Sequence, residues 1–232
     1  MSDIPPQPSA PVARLAAKVA HELNNPLDAA LRFVSLAQRK AQMGEIADLQ
    51  RHLADAQFGL QRMAEILRDL MQMGRDVHEA SASKRYPLTQ LLALSVRTIA
   101  AQAEQKRVAI DVQSTLVEGV PAYDLRLSQV LANLLKNAIE ATAENSVIRV
   151  LAARAGSKQI SVTILDQGAG IEEAMLPQLF TPFVTTKGRG AGHGLGLAIS
   201  RELVTSMGGD LTLENAPQGG CAARLILPTA QS

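Results

Sequence analysis

The 232 residues carry 23 Lys and Arg against 22 Asp and Glu, a formal net charge of +1, so no field of one sign is present to draw nucleic acid or an anionic membrane as partner. An apolar fraction of 47% is ordinary for one large or two small packed domains, and the single cysteine, Cys221, excludes an internal disulfide. No stretch reaches the roughly 18 apolar residues of a spanning helix, and the polar start with Pro5, Pro6, Pro8 and Pro11 has no signal-like run, so the expected compartment is the cytoplasm, with no insertion into the membrane.

Residues 1–11 read as a disordered tail. Beyond it, Leu15, Val19, Leu23, Leu27, Ala30, Val34 and Ala37 lay an apolar seam along a helix. Three successive steps of four break its heptad rhythm around His21 and Pro26. A second seam, Ile46, Leu49, Leu53, Ala56, Leu60, Met63, Leu67 and Leu70, alternates steps of three and four throughout. Met43-Gly44-Glu45 is the break between them, and so short a connection makes the two helices antiparallel neighbours, a hairpin over residues 12–75. Two helices cannot bury this much stripe by themselves, so two hairpins are expected to pair into a four-helix bundle, a homodimer.

Residues 76–87 are polar and small, end at Pro87 and read as a linker. The remainder, 88–230, alternates element types. Helices are expected at 88–106, 125–142 and 195–207, and strands at 108–113, 147–153, 159–166, 210–214 and 222–227. This order predicts an α/β sandwich with helices on one face of a sheet and makes the chain α+β as a whole. No internal repeat is visible.

Several segments carry chemistry. In His21-Glu22-Leu23-Asn24-Asn25-Pro26-Leu27 a histidine and an amide four residues on share one helix face. Pro26 has no N–H for the carbonyl of Glu22, so the helix is expected to bend beside the histidine. Imidazole accepts a phosphoryl group near neutral pH because one ring nitrogen is unprotonated, and the carboxylate of Glu22 is placed to hold or remove the other proton. A lone helical histidine would read as a solvated residue; its company argues otherwise.

In Asn133-Leu134-Leu135-Lys136-Asn137 two amides lie one turn apart, with Val130, Leu131, Leu134 and Leu135 anchoring the helix inward. An amide oxygen with triphosphate oxygens and waters suits magnesium, and Asn137 is the better candidate. Asp166-Gln167-Gly168-Ala169-Gly170 puts an acid at the end of an apolar strand, before glycines that admit a close backbone approach. Gly192-His193-Gly194-Leu195-Gly196 runs directly into an apolar helix, whose free N–H groups suit phosphate.

HELNNPL resembles the H-box of bacterial two-component sensor histidine kinases, and the later segments resemble the N, G1, F and G2 boxes of their catalytic domain. That domain has the Bergerat-type ATP-binding fold shared with Hsp90 and gyrase B, and the likeness runs from about residue 14 to 228. The resemblance implies that His21 is phosphorylated, Glu22 is the general base and Asn25 orients a water for dephosphorylating a partner. It implies ATP and Mg2+ as cofactors, with Asn137 the metal ligand, Asn133 a phosphate-side contact, Asp166 the adenine reader, and Lys136 also in the nucleotide set. Gly168 and Gly170 would shape the adenine pocket, Gly192, Gly194 and Gly196 would close over phosphate, and Lys187 would reach a phosphate from the lid that follows Phe180-Thr181-Pro182-Phe183. The implied partners are a second copy, the receiver domain of a response regulator, and a separate sensory protein or upstream sensor. Glu140 and Ala141 stand where many members have lysine and an aromatic residue, the lid is short, and Cys221 takes a place often held by threonine. His52, His78 and His193 read as surface residues. The rival readings are a histidine phosphotransfer relay with a degenerate ATP-binding domain and a non-kinase ATPase of the same fold.

Overall fold

The computed structural model describes residues 10–75, 84–116, 121–185 and 194–229. The chain divides into two compact units after Arg75. Among the described residues no helix is long and apolar enough to cross a membrane.

The first unit is a hairpin of α1 (Ala10–Gln42) and α2 (Ile46–Arg75). Ala10 and Pro11, assigned to the tail by the sequence, are instead the first residues of α1. A proline in the first turn forfeits no helical hydrogen bond, so nothing stops the helix from starting there. α1 runs through Pro26 without a break. At the turn Gly44 takes φ +75°, the left-handed conformation that glycine adopts freely. Lys40, in the last turn of α1, pairs with Glu45 and lies 3.4 Å from Asp48 in the first turn of α2. Cation and anion thus stand at the helix ends whose dipoles favour them.

Apolar residues of α2 divide between two stripes. Ala56, Gly59, Ile66 and His52 are buried, with Leu49 and Met63 beside them, whereas Ile46, Leu53, Leu60 and Leu67 remain exposed at 67, 49, 52 and 45%. Their spacing of seven leaves one column of large apolar side chains open in the single hairpin. On α1, Ala30 and Ala37 are buried, while Val34, expected in the seam, is exposed together with Leu31. Gly59 lets the helices come close: a Cβ there would lie 3.0 Å from the Pro26 carbonyl oxygen and 3.3 Å from the Ala30 Cβ. His52 is a correction. It sits in the inner stripe at 9% exposure, stacked on Phe33 with ring centroids 6.0 Å apart, and its Nδ1 has no hydrogen-bond partner among the described residues. Its place three residues after Leu49 and four before Ala56 puts it on the buried arc whatever its polarity.

The second unit contains β1 (Arg85–Pro87), α3 (Leu88–Gln105), β2 (Ala109–Ser114), β3 (Ala122–Asp124), α4 (Arg126–Ala141), β4 (Val147–Arg154), β5 (Gln159–Leu165), a 3-10 turn (Glu173–Gln178), α5 (Gly196–Ser206), β6 (Asp210–Asn215) and β7 (Cys221–Pro228). Five strands form one sheet in the order β2-β4-β5-β7-β6, with β2 parallel to β4 and the other pairs antiparallel. Ile148, Val150 and Ala152 of β4 and Ile160, Val162 and Ile164 of β5 are buried, and the residues between them are not. One sheet face is therefore covered, by α3, α4 and α5, whose buried side chains include Leu91, Leu131, Leu135 and Val204.

β1 and β3 were not expected. They form a separate antiparallel pair that aligns Tyr86 with Tyr123, so residues 85–87, read as the end of a linker, are a strand. Three residues are too few for alternation to register. Tyr123 is fully buried and donates its hydroxyl to the Pro228 carbonyl at 2.8 Å; burial pushes its pKa up to about 12. Residues 76–83 of the expected linker lie outside the described residues, as do most of the tail and His78.

Candidate functional site

On α1, His21, Asn24 and Asn25 are exposed and Pro26 is buried, so the histidine and the amide one turn beyond it share a solvent-facing surface. Glu22 follows His21 on the helix; its side chain lies outside what is described. Pro26 leaves the Glu22 carbonyl without its helical donor.

On α4, burial of Leu127, Val130, Leu131, Leu134, Leu135 and Ala138 turns Asn133, Lys136, Asn137 and Glu140 to one opposite face. Asn133 is half-buried, and its Nδ2 donates to Ser200 Oγ of α5 at 3.0 Å. A Cβ on Gly196 would overlap the Asn133 amide, so only glycine lets the start of α5 close onto that side chain. Asn137 is half-buried one turn along. Lys136 is 47% exposed and stands 4.0 Å from Glu140, a loose pair across one helical turn. Lys106 Nζ donates to the carbonyls of Ile139 and Glu140 at 2.8 and 2.9 Å, which satisfies two acceptors left over at the end of α4.

Asp166 follows β5 and is 8% exposed. Its backbone N–H donates to the Cys221 carbonyl at 3.0 Å, and its Oδ1 accepts from the N–H groups of Gly168 (2.8 Å) and Cys221 (3.0 Å). Two donors on one oxygen fix the carboxyl plane, while Oδ2 has no hydrogen bond among the described residues. With Oδ1 occupied, Oδ2 is the acceptor that the carboxylate has left for a donor from outside. The surrounding glycines fit that purpose. A Cβ on Gly168 would sit 2.6 Å from the Ala141 carbonyl oxygen and 3.1 Å from Asp166 Oδ1, and one on Gly220, at φ +81°, would overlap the Asp166 backbone.

Cys221 is buried, and its thiol is pushed up to about 12, by burial first and then by the negative charge of Asp166. The reactive form of cysteine is the thiolate. Native protein at pH 8 should therefore resist iodoacetamide for hours and take up one equivalent once unfolded in urea, as read by intact mass.

Phe180 lies under the guanidinium of Arg201 of α5, 4.5 Å from the ring centroid. Phe183 takes φ +66°, rare for an aromatic residue, and its N–H donates to the Gly194 carbonyl at 2.9 Å. A Cβ on Gly194 would overlap the backbone of Phe183 and Val184, so the two ends of the segment between them are held together. Thr186, Lys187, Gly192 and His193 lie outside the described residues.

The structure thus brings Asn133 and Gly196 together and places Gly168 beside Asp166. Ser200 escaped the sequence because a small hydroxyl inside an apolar helix gives no signal. Gly220 was visible only as part of a turn.

Residues 12–79 match the model for the His Kinase A (phospho-acceptor) domain. Residues 122–231 match that for the Histidine kinase-, DNA gyrase B-, and HSP90-like ATPase. The C4-dicarboxylate transport sensor protein DctB of Pseudomonas aeruginosa is 32% identical over 222 residues, which cover 92% of this chain and 35% of that protein. The sensor histidine kinase ZraS of Escherichia coli K12 is 31% identical over 223 residues, 94% of this chain and 45% of that protein. The chain therefore spans about a third to a half of the length of these curated relatives. Among solved structures, a nucleotide-free form of the catalytic domain of histidine kinase ThkA is 28% identical with a TM-score of 0.57, over 63% of this chain and 95% of that one. The crystal structure of histidine kinase ThkA in complex with the response regulator protein TrrA has a TM-score of 0.72 over 94% of this chain and 61% of that one; at 22% identity it is a likeness of fold.

Proposed function

The chain belongs to the two-component sensor histidine kinases, and we propose that it takes the γ-phosphoryl group of ATP onto His21 and passes it to an aspartate of a response-regulator receiver domain. The observation that carries the reading is Asp166: a buried carboxylate with one oxygen locked by two N–H groups and the other open to the adenine amine. Gly168 and Gly170 line that pocket in the proposal. Asn133, Lys136, Lys187 and the glycines Gly192, Gly194 and Gly196 face the phosphates. Magnesium, when bound, supplies charge neutralisation on those phosphates, with Asn137 as its protein ligand.

In the transfer, the unprotonated ring nitrogen of His21 forms a bond to the γ-phosphorus as the bond to the bridging oxygen breaks, leaving ADP. Glu22 holds or accepts the proton of the other ring nitrogen. Asn25, on the same exposed face, orients a water when the partner's phosphoryl group is hydrolysed. The open column Ile46, Leu53, Leu60 and Leu67 supports pairing of two hairpins into a four-helix bundle, since such a stripe in water is an unburied interface. Control by a separate sensory protein or an upstream sensor, and a cytoplasmic location, complete the proposal.

Purified chain incubated with magnesium and γ-labelled ATP should acquire label that is stable to base and lost in acid, the signature of a phosphoramidate. Absence of such label in protein that binds ATP would overturn the kinase reading. The relay with a degenerate nucleotide site has nothing in its favour, because the glycine cradle around Asp166 is intact.

A further inference from the structure

We propose that Asn215 is a positioning residue for the adenine pocket, a clip that fixes the far end of loop 166–171; the inference rests on the nucleotide reading above. The near end of this loop is tied to β7 by two bonds that join Asp166 and Cys221, from the Asp166 N–H to the Cys221 carbonyl and from the Cys221 N–H to Asp166 Oδ1. β5 has ended at Leu165, so no strand ladder reaches the far end.

Asn215 fills that place. It is the last residue of β6 and the cross-strand partner of Cys221. Its Oδ1 accepts from the Ile171 N–H at 2.7 Å, and its Nδ2 donates to the Ile171 carbonyl at 2.7 Å. One side chain thereby makes both bonds that a neighbouring strand residue would make to Ile171. Because both partners are backbone groups of fixed polarity, the amide has only one orientation that satisfies them. Gly170 is fitted to the clip: at φ +78°, a Cβ there would lie 2.9 Å from Asn215 Oδ1.

Asn215 is exposed and adds nothing to the core, so its pair of bonds acts on the loop and not on packing. Between the anchors lie Gly168 and Gly170, the residue type that loses most freedom when fixed. With both ends held before binding, nucleotide need not order this loop itself, and the open oxygen of Asp166 stands at a fixed depth beside it. Asn215 is thus an affinity and base-selectivity determinant that touches neither the phosphates nor His21 in the proposed reaction.

The test uses the full chain, wild type, Asn215→Ala and Asn215→Asp, with Mg-ADP and Mg-GDP binding by calorimetry and labelling kinetics with ATP. Alanine removes both bonds; aspartate keeps the acceptor for Ile171 N–H but sets an oxygen against the Ile171 carbonyl, so it should do no better. Both variants should bind ADP about tenfold more weakly, the scale of one or two lost hydrogen bonds. The KM for ATP should rise by a similar factor with kcat at saturating ATP unchanged, the ADP-over-GDP preference should shrink, and the thermal midpoint without nucleotide should stay within a few degrees. Unchanged ADP affinity and preference in both variants, or a kcat and folded fraction that fall as KM rises, would overturn the role. A wild type that itself fails to bind Mg-ADP would sink the nucleotide reading and this inference together, whereas a binding wild type with indifferent variants removes only the clip.

Discussion

Asp166→Asn should lower ATP affinity about 100-fold, the cost of a lost charge-assisted hydrogen bond together with an unpaired donor left in the pocket. The change is isosteric. An asparagine Oδ1 can still accept from the N–H groups of Gly168 and Cys221, so the loop and the sheet beside it keep their geometry. What changes is the open position, where an acceptor becomes an NH2 group that meets the adenine amine donor to donor. Calorimetric titration with ADP, paired with a thermal melt, separates the two effects. Near wild-type affinity would remove Asp166 from its assigned role, and a collapsed melt would make it a folding residue instead.

His21→Gln should reduce covalent labelling from γ-labelled ATP to background while ADP affinity stays within about twofold. Glutamine is a good helix former and His21 is exposed, so the hairpin has no reason to unfold. Its amide nitrogen has a delocalised lone pair and cannot take the phosphoryl group as imidazole does. The readout is acid-labile label on the gel band, with bound ADP measured on the same preparation. Retained label at histidine would move the acceptor elsewhere in the chain.

The two segments that carry these predictions were legible in the sequence because their logic is local. His21 and Asn25 share a face through the helical period alone, and glycines around Asp166 announce a backbone that must come close to something. The hairpin and its turn at residues 43–45 follow likewise from seam spacing and a single glycine. What stayed hidden depends on partners far along the chain. The bond from Asn133 to Ser200 spans 67 residues and the clip from Asn215 to Ile171 spans 44. No window of sequence contains both ends of either. His52 misled for another reason: its polarity suggested the surface, whereas its position in the three-and-four spacing put it on the arc that faces α1, against Phe33. The exposed column on α2 shows the limit of reading a seam as one interface, since in the proposed four-helix bundle each helix must serve two neighbours and needs a wider arc than two heptad positions.

The parallel pairing of β2 with β4 has a consequence for how the second unit holds together. Parallel neighbours need a crossover, and the segment that leaves β2 at Ser114 and returns at Val147 includes α4, the helix that carries Asn133 and Asn137. β2 is also the edge strand, with β4 as its sole neighbour in the five-stranded sheet. Opening that frees α4 should therefore slacken the tether of β2 as well, and helix and edge strand are expected to exchange their amide hydrogens as one cooperative segment.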